Sequence, residues 1–191
     1  FYNYANSVIT KNKNVKILKS NVLNLNDLQS HCIVETSSGK FKSSKVFNSI
    51  MDWDCVKNNS KFPLLIQHFE GWVIKTKKDN FDPKKATFMD FSIDQNLTTQ
   101  FMYILPFSKS EALVEYTLFS EKLLETNKYK TVLEDYLISL GISNYEIKSK
   151  ETGKIPMTCF PFFKSNSKNI LNIGSAGGWS KPSTGYTFKN I

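Results

Sequence analysis

Thr98–Phe119 reads TTQFMYILPFSKSEALVEYTLF, two apolar runs joined by a short polar turn. Phe101, Tyr103 and Leu105 alternate with Met102 and Ile104 in the first run, and Ser108-Lys109-Ser110 makes the turn. In the second run Ala112, Val114, Tyr116 and Leu118 alternate with Leu113, Glu115, Thr117 and Phe119. Alternation of this length predicts two paired strands. Glu115 then shares a face with Leu113 and Phe119. A carboxyl held among apolar side chains is pushed toward its neutral form, the state a general acid needs. The same alternation also suits a sheet with one wet face, on which Glu115 and Thr117 would be solvated.

Outward from this hairpin, Leu64–Lys75 (LLIQHFEGWVIK) reads as a strand interrupted at Gly71, where a bulge or a close backbone approach is expected. Asp82, ahead of Pro83, is a turn residue. Asp90, between Met89 and Phe91, is a second acid that could enter an apolar site or face water. After the hairpin, Tyr129, Val132, Leu133, Tyr136, Leu137 and Leu140 recur at helical spacing, and Gly141 stands where the helix should stop. Tyr145–Ser149 and Ile155–Phe160 read as two further strands.

The first fifty residues read as a small meander. Val15–Leu18 is taken as a short strand, and His31–Thr36 pairs through Ser37-Ser38-Gly39-Lys40 with a strand running from Phe41 toward Val46 and Phe47. Met51–Pro63 mixes Asp, Asn, Ser, Lys and Pro with little periodicity and reads as a linker. Near the other end, the strand Ile170–Ile173 feeds Gly174-Ser175-Ala176-Gly177-Gly178-Trp179, then Pro182-Ser183-Thr184-Gly185-Tyr186 and an expected helix start. Such a turn can present backbone amides to a phosphate or a flavin, although a plain tight turn has the same composition.

Composition bounds the rest. The 191 residues are 40% apolar and 14% aromatic, enough for a real core in one or two domains. No run of about 18 apolar residues is present, so no transmembrane helix is expected. Phe1 in place of an initiator methionine points to a piece of a longer protein. Cys32, Cys55 and Cys159 are odd in number and far apart, which fits a reducing cytoplasm better than a disulfide framework. With His31 and His68 equally isolated, no metal site is expected. The net charge of +8 comes from 25 basic against 17 acidic residues, and every basic residue is lysine. Without the arginine fork, specific nucleic-acid recognition is not expected. The lysines leave a smaller possibility, attraction to an anionic membrane surface.

Taken in order, Gln67-His68-Phe69-Glu70-Gly71, Phe81-Asp82-Pro83 with Thr87–Phe91, Phe101–Pro106, Glu115-Tyr116-Thr117, and Gly174–Gly178 with Pro182–Tyr186 resemble the bacterial lycopene beta-cyclases. The resemblance runs from Gln67 to Tyr186. It implies an α/β fold, here an α+β-like fragment: a mostly antiparallel substrate-domain sheet plus part of a Rossmann-type FAD-binding domain. Residues 1–62 would be a partial FAD-domain meander and linker, 63–163 the substrate domain with its helix, and 164–191 the return to the FAD-binding domain. The family's GxGxxG segment does not occur in this sequence, so the chain alone is expected to be inactive and to hold FAD weakly.

The activity implied is acid–base closure of the ends of lycopene or another acyclic carotenoid into beta-ionone rings, with reduced FAD present, NADPH as electron source and no net redox change. Glu115 would be the acid, with Asp90 as the second candidate. Gly174, Gly177, Gly178, Ser183, Thr184 and Gly185 would line the cofactor. Ser175 stands where many related flavoproteins carry an aspartate. Tyr103, Phe101 or Trp179 could face a developing cation. The enzyme is expected on the cytoplasmic side of the inner membrane as a peripheral protein. The same scaffold would also suit a related flavin-dependent isoprenoid or lipid oxidoreductase, or a non-catalytic lipid-binding fragment.

Overall fold

The computed structural model describes residues 2–187. Its elements run α1 (Tyr2–Lys11), β1 (Val22–Asp27), β2 (Cys32–Thr36), β3 (Gly39–Ser43), β4 (Val46–Asn48), α2 (Trp53–Lys57), β5 (Leu65–Thr76), β6 (Thr87–Asp90), β7 (Thr99–Pro106), β8 (Glu111–Ser120), α3 (Thr126–Ser139), β9 (Tyr145–Met157) and β10 (Ile170–Asn172), with two 3-10 turns at Phe162–Ser165 and Gly174–Gly177. The fold is mixed α/β with mostly antiparallel sheets. It divides into two compact units, Phe1–Asn48 with Lys164–Asn172, and Ser49–Phe163 with Ile173–Ile191.

In the first unit β1, β2 and β3 form an antiparallel meander, and β4 pairs in parallel with β10. Asp27 is its polar anchor: its carboxylate accepts from Ser167 Oγ at 2.6 Å, Asn169 N at 2.8 Å and Asn169 Nδ2 at 2.9 Å. Those donors, Ser167 first, hold its carboxyl far below the usual carboxylate range. Two expectations fail here. Val15–Leu18 is not a strand; it is irregular and exposed, because no neighbouring chain pairs with it. The run from Phe41 to Phe47 is split, β3 closing the meander and β4 leaving it for β10.

The second unit is a five-stranded antiparallel sheet in the order β6-β7-β8-β5-β9, with α3 packed against β8 and β5. Register decides which side chains meet α3. Met102, Tyr116 and Glu70 lie in one row across β7, β8 and β5, and Ile104, Val114 and Trp72 lie in another. These rows meet Tyr129, Leu133, Tyr136 and Leu137 of α3 in a continuous core. Leu133 and Leu137 are fully buried, each contributing about 1.5–3 kcal/mol relative to an exposed position. The helix ends as its sequence predicts, with Leu140 as C-cap and Gly141 at φ +74°.

Three local expectations in this unit are corrected. Tyr145–Ser149 and Ile155–Phe160 are not separate strands: β9 runs unbroken through the polar SKETGK segment to Met157, as an edge strand rich in lysine. Gly71 does not interrupt β5: it is paired on both sides, with Glu115 and Glu151, the bulge against β9 falls beyond it between Val73 and Ile74, and what approaches it closely is side chain, Leu113 Cδ1 and Glu151 Cγ. Met51–Pro63 contains a short helix, α2, whose N-cap Asp52 accepts from Cys55 N at 2.9 Å. The helix expected after Tyr186 lies outside the described residues.

Candidate functional site

The face of the sheet opposite α3 carries the odd-numbered residues of the hairpin. Across it, Tyr103 of β7, Glu115 of β8, Gly71 of β5 and Glu151 of β9 stand in one cross-strand row. The next row holds Phe101, Thr117, Phe69 and Gly153. Around them is an aromatic cluster: Phe101 and Tyr103 meet edge to face at 5.2 Å, Phe88 meets Tyr103 at 5.1 Å, and Phe91 meets Phe101 at 5.4 Å. Phe101 is buried, whereas Phe88 is 72% exposed. The face is thus apolar at its floor and open at one edge.

Glu115 is the polar centre of this face. Thr117 Oγ1 donates to its Oε1 at 2.7 Å. Burial holds its carboxyl above the usual range; the Thr117 hydrogen bond opposes that shift, and the charge and hydrogen bond of Glu151 add to it. Glycine at 71 makes the approach possible. A Cβ there would sit 3.0 Å from Leu113 Cδ1, 3.1 Å from Glu151 Cγ and 3.2 Å from Glu151 Oε1, so the glutamate leans into the space left by the missing side chain. Tyr103 on the other side has its hydroxyl pKa raised by burial and then by Glu115. A carboxyl whose pKa is raised on an aromatic surface is better placed to donate a proton than a solvated one.

Asp90 belongs to the other face. It pairs with Met102, a core residue, and accepts from Tyr136 Oη of α3 at 2.6 Å. That hydrogen bond lowers its pKa, with the Ser92 amide assisting. Asp90 and Glu115 are therefore not brought together. Asp82 is the expected turn residue, accepting from Lys84 N at 3.0 Å.

The glycine-rich segment folds as a 3-10 turn over Gly174–Gly177, closed by Gly178 at φ +73°. A Cβ at Gly178 would lie 2.6 Å from Phe162 Cδ2, which makes glycine obligatory there. Gly174, at φ +58°, has open space where a Cβ would point. Ser183 and Thr184 lie in an exposed turn, with Gly185 N bonded to Lys181 O at 2.8 Å. Ser175 Oγ is 3.2 Å from Ser180 Oγ. Gly185, at φ +70°, packs so closely on Gln67 that a Cβ would collide with Gln67 Oε1. That oxygen is buried and has no hydrogen-bond partner among the described residues. Gln67 lies on the face of Glu115, in the row of Phe119 and Ile155, roughly 13 Å along β5 from the Glu115 row. Open backbone at Gly174 and an unsatisfied buried acceptor beside Gly185 fit a polar cofactor seated at this end of the sheet.

Sequence reasoning did not single out Glu151, and it quoted Gln67, His68 and Glu70 within a motif without giving them a role. On the helix side, Glu70 accepts from Trp72 Nε1 at 2.7 Å with Lys150 Nζ 3.9 Å away, and His68 sits between Tyr129 Oη at 2.6 Å and Ser120 Oγ at 2.7 Å. Glu151 was hidden in a lysine-rich run. The available signal was Gly71, a glycine inside an otherwise apolar strand.

Comparison with known proteins agrees with this architecture. A lycopene beta-cyclase from Paracoccus sp. is 27% identical over 126 residues, a match covering 63% of this chain and 32% of the relative. Among solved structures, a geranylgeranyl bacteriochlorophyll reductase-like protein from Thermoplasma acidophilum superposes with a TM-score of 0.62 at 14% identity, covering 90% of this chain and 45% of that one. A tetracycline destructase gives a TM-score of 0.50 at 11% identity, covering 83% and 44%. These likenesses establish a shared fold, and the chain spans about a third of the curated relative and under half of the solved chains. The sequence pattern of the lycopene cyclase protein family matches residues 5–191. Matched over nearly its whole length, this chain belongs to the lycopene cyclase family.

Proposed function

We propose that this chain carries the proton-donating sheet of a lycopene beta-cyclase, acting on lycopene or another acyclic carotenoid. The observation that carries the reading is Glu115: a half-buried carboxyl, pushed up in pKa by burial, in one cross-strand row with Tyr103 and beside buried Phe101. A long polyene is recognised by apolar surface, and its terminal alkene needs an acid that water has not levelled. Glu115 gives its proton to that alkene and forms a C–H bond. The internal alkene's electron pair then closes the ring, and loss of a ring proton restores a double bond. The rings of Phe101 and Tyr103, beside Glu115, stabilise the passing positive charge by about 0.5–2 kcal/mol.

The backbone of Gly174–Gly178 and Gly185, with Gln67, would hold reduced FAD, for which NADPH is the electron source. When bound, reduced flavin supplies negative charge that favours the cation without being consumed. This chain's part is to present the loop, offer the aromatic face to the polyene and hold the proton at Glu115. Among the described residues no helix is long and apolar enough to cross a membrane, and the substrate resides in a bilayer. The net charge of +8, carried on the basic side by lysine alone, supports peripheral, salt-sensitive attachment to the cytoplasmic membrane surface as part of this reading.

The test is Glu115→Gln in the full-length protein, scored as beta-carotene formed from lycopene in carotenoid-producing cells with flavin content checked. The expected loss is about 10²–10⁴-fold, the range for removing a general acid. Near-normal cyclisation by a flavin-loaded variant would overturn the assignment. NADPH consumed in proportion to product would instead point to a reductase.

A further inference from the structure

We propose that Glu151 is the proton-sharing partner of Glu115: the two carboxyls meet across Gly71 and hold one proton between them, which makes Glu151 a positioning residue of the cyclisation site. The proposal rests on the reading of Glu115 as the acid. Three features of the sheet carry it. β8, β5 and β9 are adjacent, and register places Glu115, Gly71 and Glu151 in a single row on the same face. The middle residue has no side chain, and Glu151 Cγ and Oε1 lie 3.1 and 3.2 Å from where its Cβ would be. The Glu151 carboxyl therefore lies over Gly71, on the side of its strand that faces Glu115, and pushes the Glu115 carboxyl further up. Any larger residue at 71 would stand between them.

The chemistry of such a pair suits the reaction. Two carboxyls this close cannot both ionise easily, so Glu115 keeps its proton to a higher pH than an isolated glutamate does. Thr117 Oγ1 occupies Glu115 Oε1 as a donor, which leaves the other oxygen for the shared proton. Glu115 is half-buried beside the aromatic cluster, whereas Glu151 is exposed on the edge strand. The proton therefore leaves from Glu115 to form the substrate C–H bond, and the pair becomes a dianion. Ring closure makes a C–C bond, and a ring C–H then breaks, its electrons forming the new double bond. The released proton returns to the pair. Atoms and charge balance with no oxidant or reductant.

The other groups facing Glu115 do not replace Glu151. From β7 comes Tyr103, whose phenol stays protonated, and from β5 come Phe69, Gly71 and Val73, which carry no charge. Asp90 and the Lys150–Glu70 pair lie on the helix side.

The experiment titrates Glu115 by carboxyl ¹³C NMR in the full-length protein labelled at glutamate, with the resonance assigned by its loss in Glu115→Gln. In both Glu151→Gln and Glu151→Ala the midpoint falls by about one pH unit or more. Glu151 is exposed, so both variants fold. An unchanged midpoint overturns the proposal, and so does a fall in the glutamine variant alone, which would reflect only its new amide donor. In turnover, the alkaline limb of the rate–pH profile moves down by the same interval. A rate lowered equally at every pH would mark Glu151 as merely structural and also overturns it. The titration needs no substrate, so it stands or falls separately from the cyclase reading, which the Glu115→Gln assay decides.

Discussion

Tyr136 donates a 2.6 Å hydrogen bond to Asp90, tying the short edge strand β6 to the helix packed on the far side of the sheet from Glu115. β6 needs the tie: its register is broken between Thr87 and Asp90, with Met89 at φ +57°. Asp90→Asn or Tyr136→Phe is expected to cost about 1–2 kcal/mol, the low end for a bond to a charged group because Asp90 is partly solvated. Urea unfolding of the full-length protein measures it. Cyclisation by the folded variant should be near normal, and a large loss of turnover without loss of stability would move Asp90 into the chemistry.

A second prediction concerns Phe69 and Gly153. They are paired across β5 and β9, and the Phe69 ring lies where a Cβ at 153 would be. The edge glycine is covered by its neighbour's ring, which also supplies apolar floor two residues from Gly71. Gly153→Ala should cost about 1–3 kcal/mol by overpacking. In the Phe69→Leu background the same change should cost clearly less, and a double-mutant cycle that shows simple additivity would refute the contact.

These two sites mark how far the sequence alone could be read. The Thr98–Phe119 hairpin and α3 were legible because burial on one side writes a period of 2 or 3.6 into the residues, as Met102, Val114 and Leu133 show. β9 was not, because its middle is an exposed edge whose lysines and Glu151 answer to solvent rather than to a core. Val15–Leu18 misled for the converse reason: apolar residues that lack a partner strand do not make a sheet. Glu115 could be found from its neighbours in sequence. Its pairing with Glu151 could not, since it depends on the register of three strands and on an empty position at Gly71.

His68 gives a pH prediction. It is buried between Tyr129, which donates to Nδ1, and Ser120, whose own hydroxyl donates to Lys122 O at 2.5 Å and so accepts from Nε2–H. Both ring nitrogens are thus satisfied in the neutral form, and burial lowers the pKa from 6.5. The unfolded chain takes up a proton before the folded one does. Stability from this group is therefore present above about pH 6.5 and lost as pH falls through the lowered folded value, by no more than about 1.4 kcal/mol per pH unit. Unfolding free energies between pH 7.5 and 5 should show this decline, and His68→Gln should flatten it. An equal slope in the variant would assign the decline to other groups.

The last prediction concerns what Glu115 costs the fold. Its carboxyl titrates above 4.5 in the folded state, first because it is buried and further because Glu151 faces it. Between pH 4.5 and the raised folded value the native state binds more protons than the unfolded chain, so stability declines as pH rises through that window. Above it, the folded protein carries a carboxylate in an apolar setting that the unfolded chain would solvate. Glu115→Gln removes that charge and keeps the volume and the acceptor for Thr117 Oγ1. The variant should unfold at a higher temperature than the parent at pH 8, with the difference shrinking toward zero near pH 4, while its cyclisation is lost. Thermal melts of the two proteins across that range decide it. A Glu115→Gln protein less stable than its parent at pH 8 would mean that the carboxylate is well solvated on this face, and the basis for a protonated acid there would go with it.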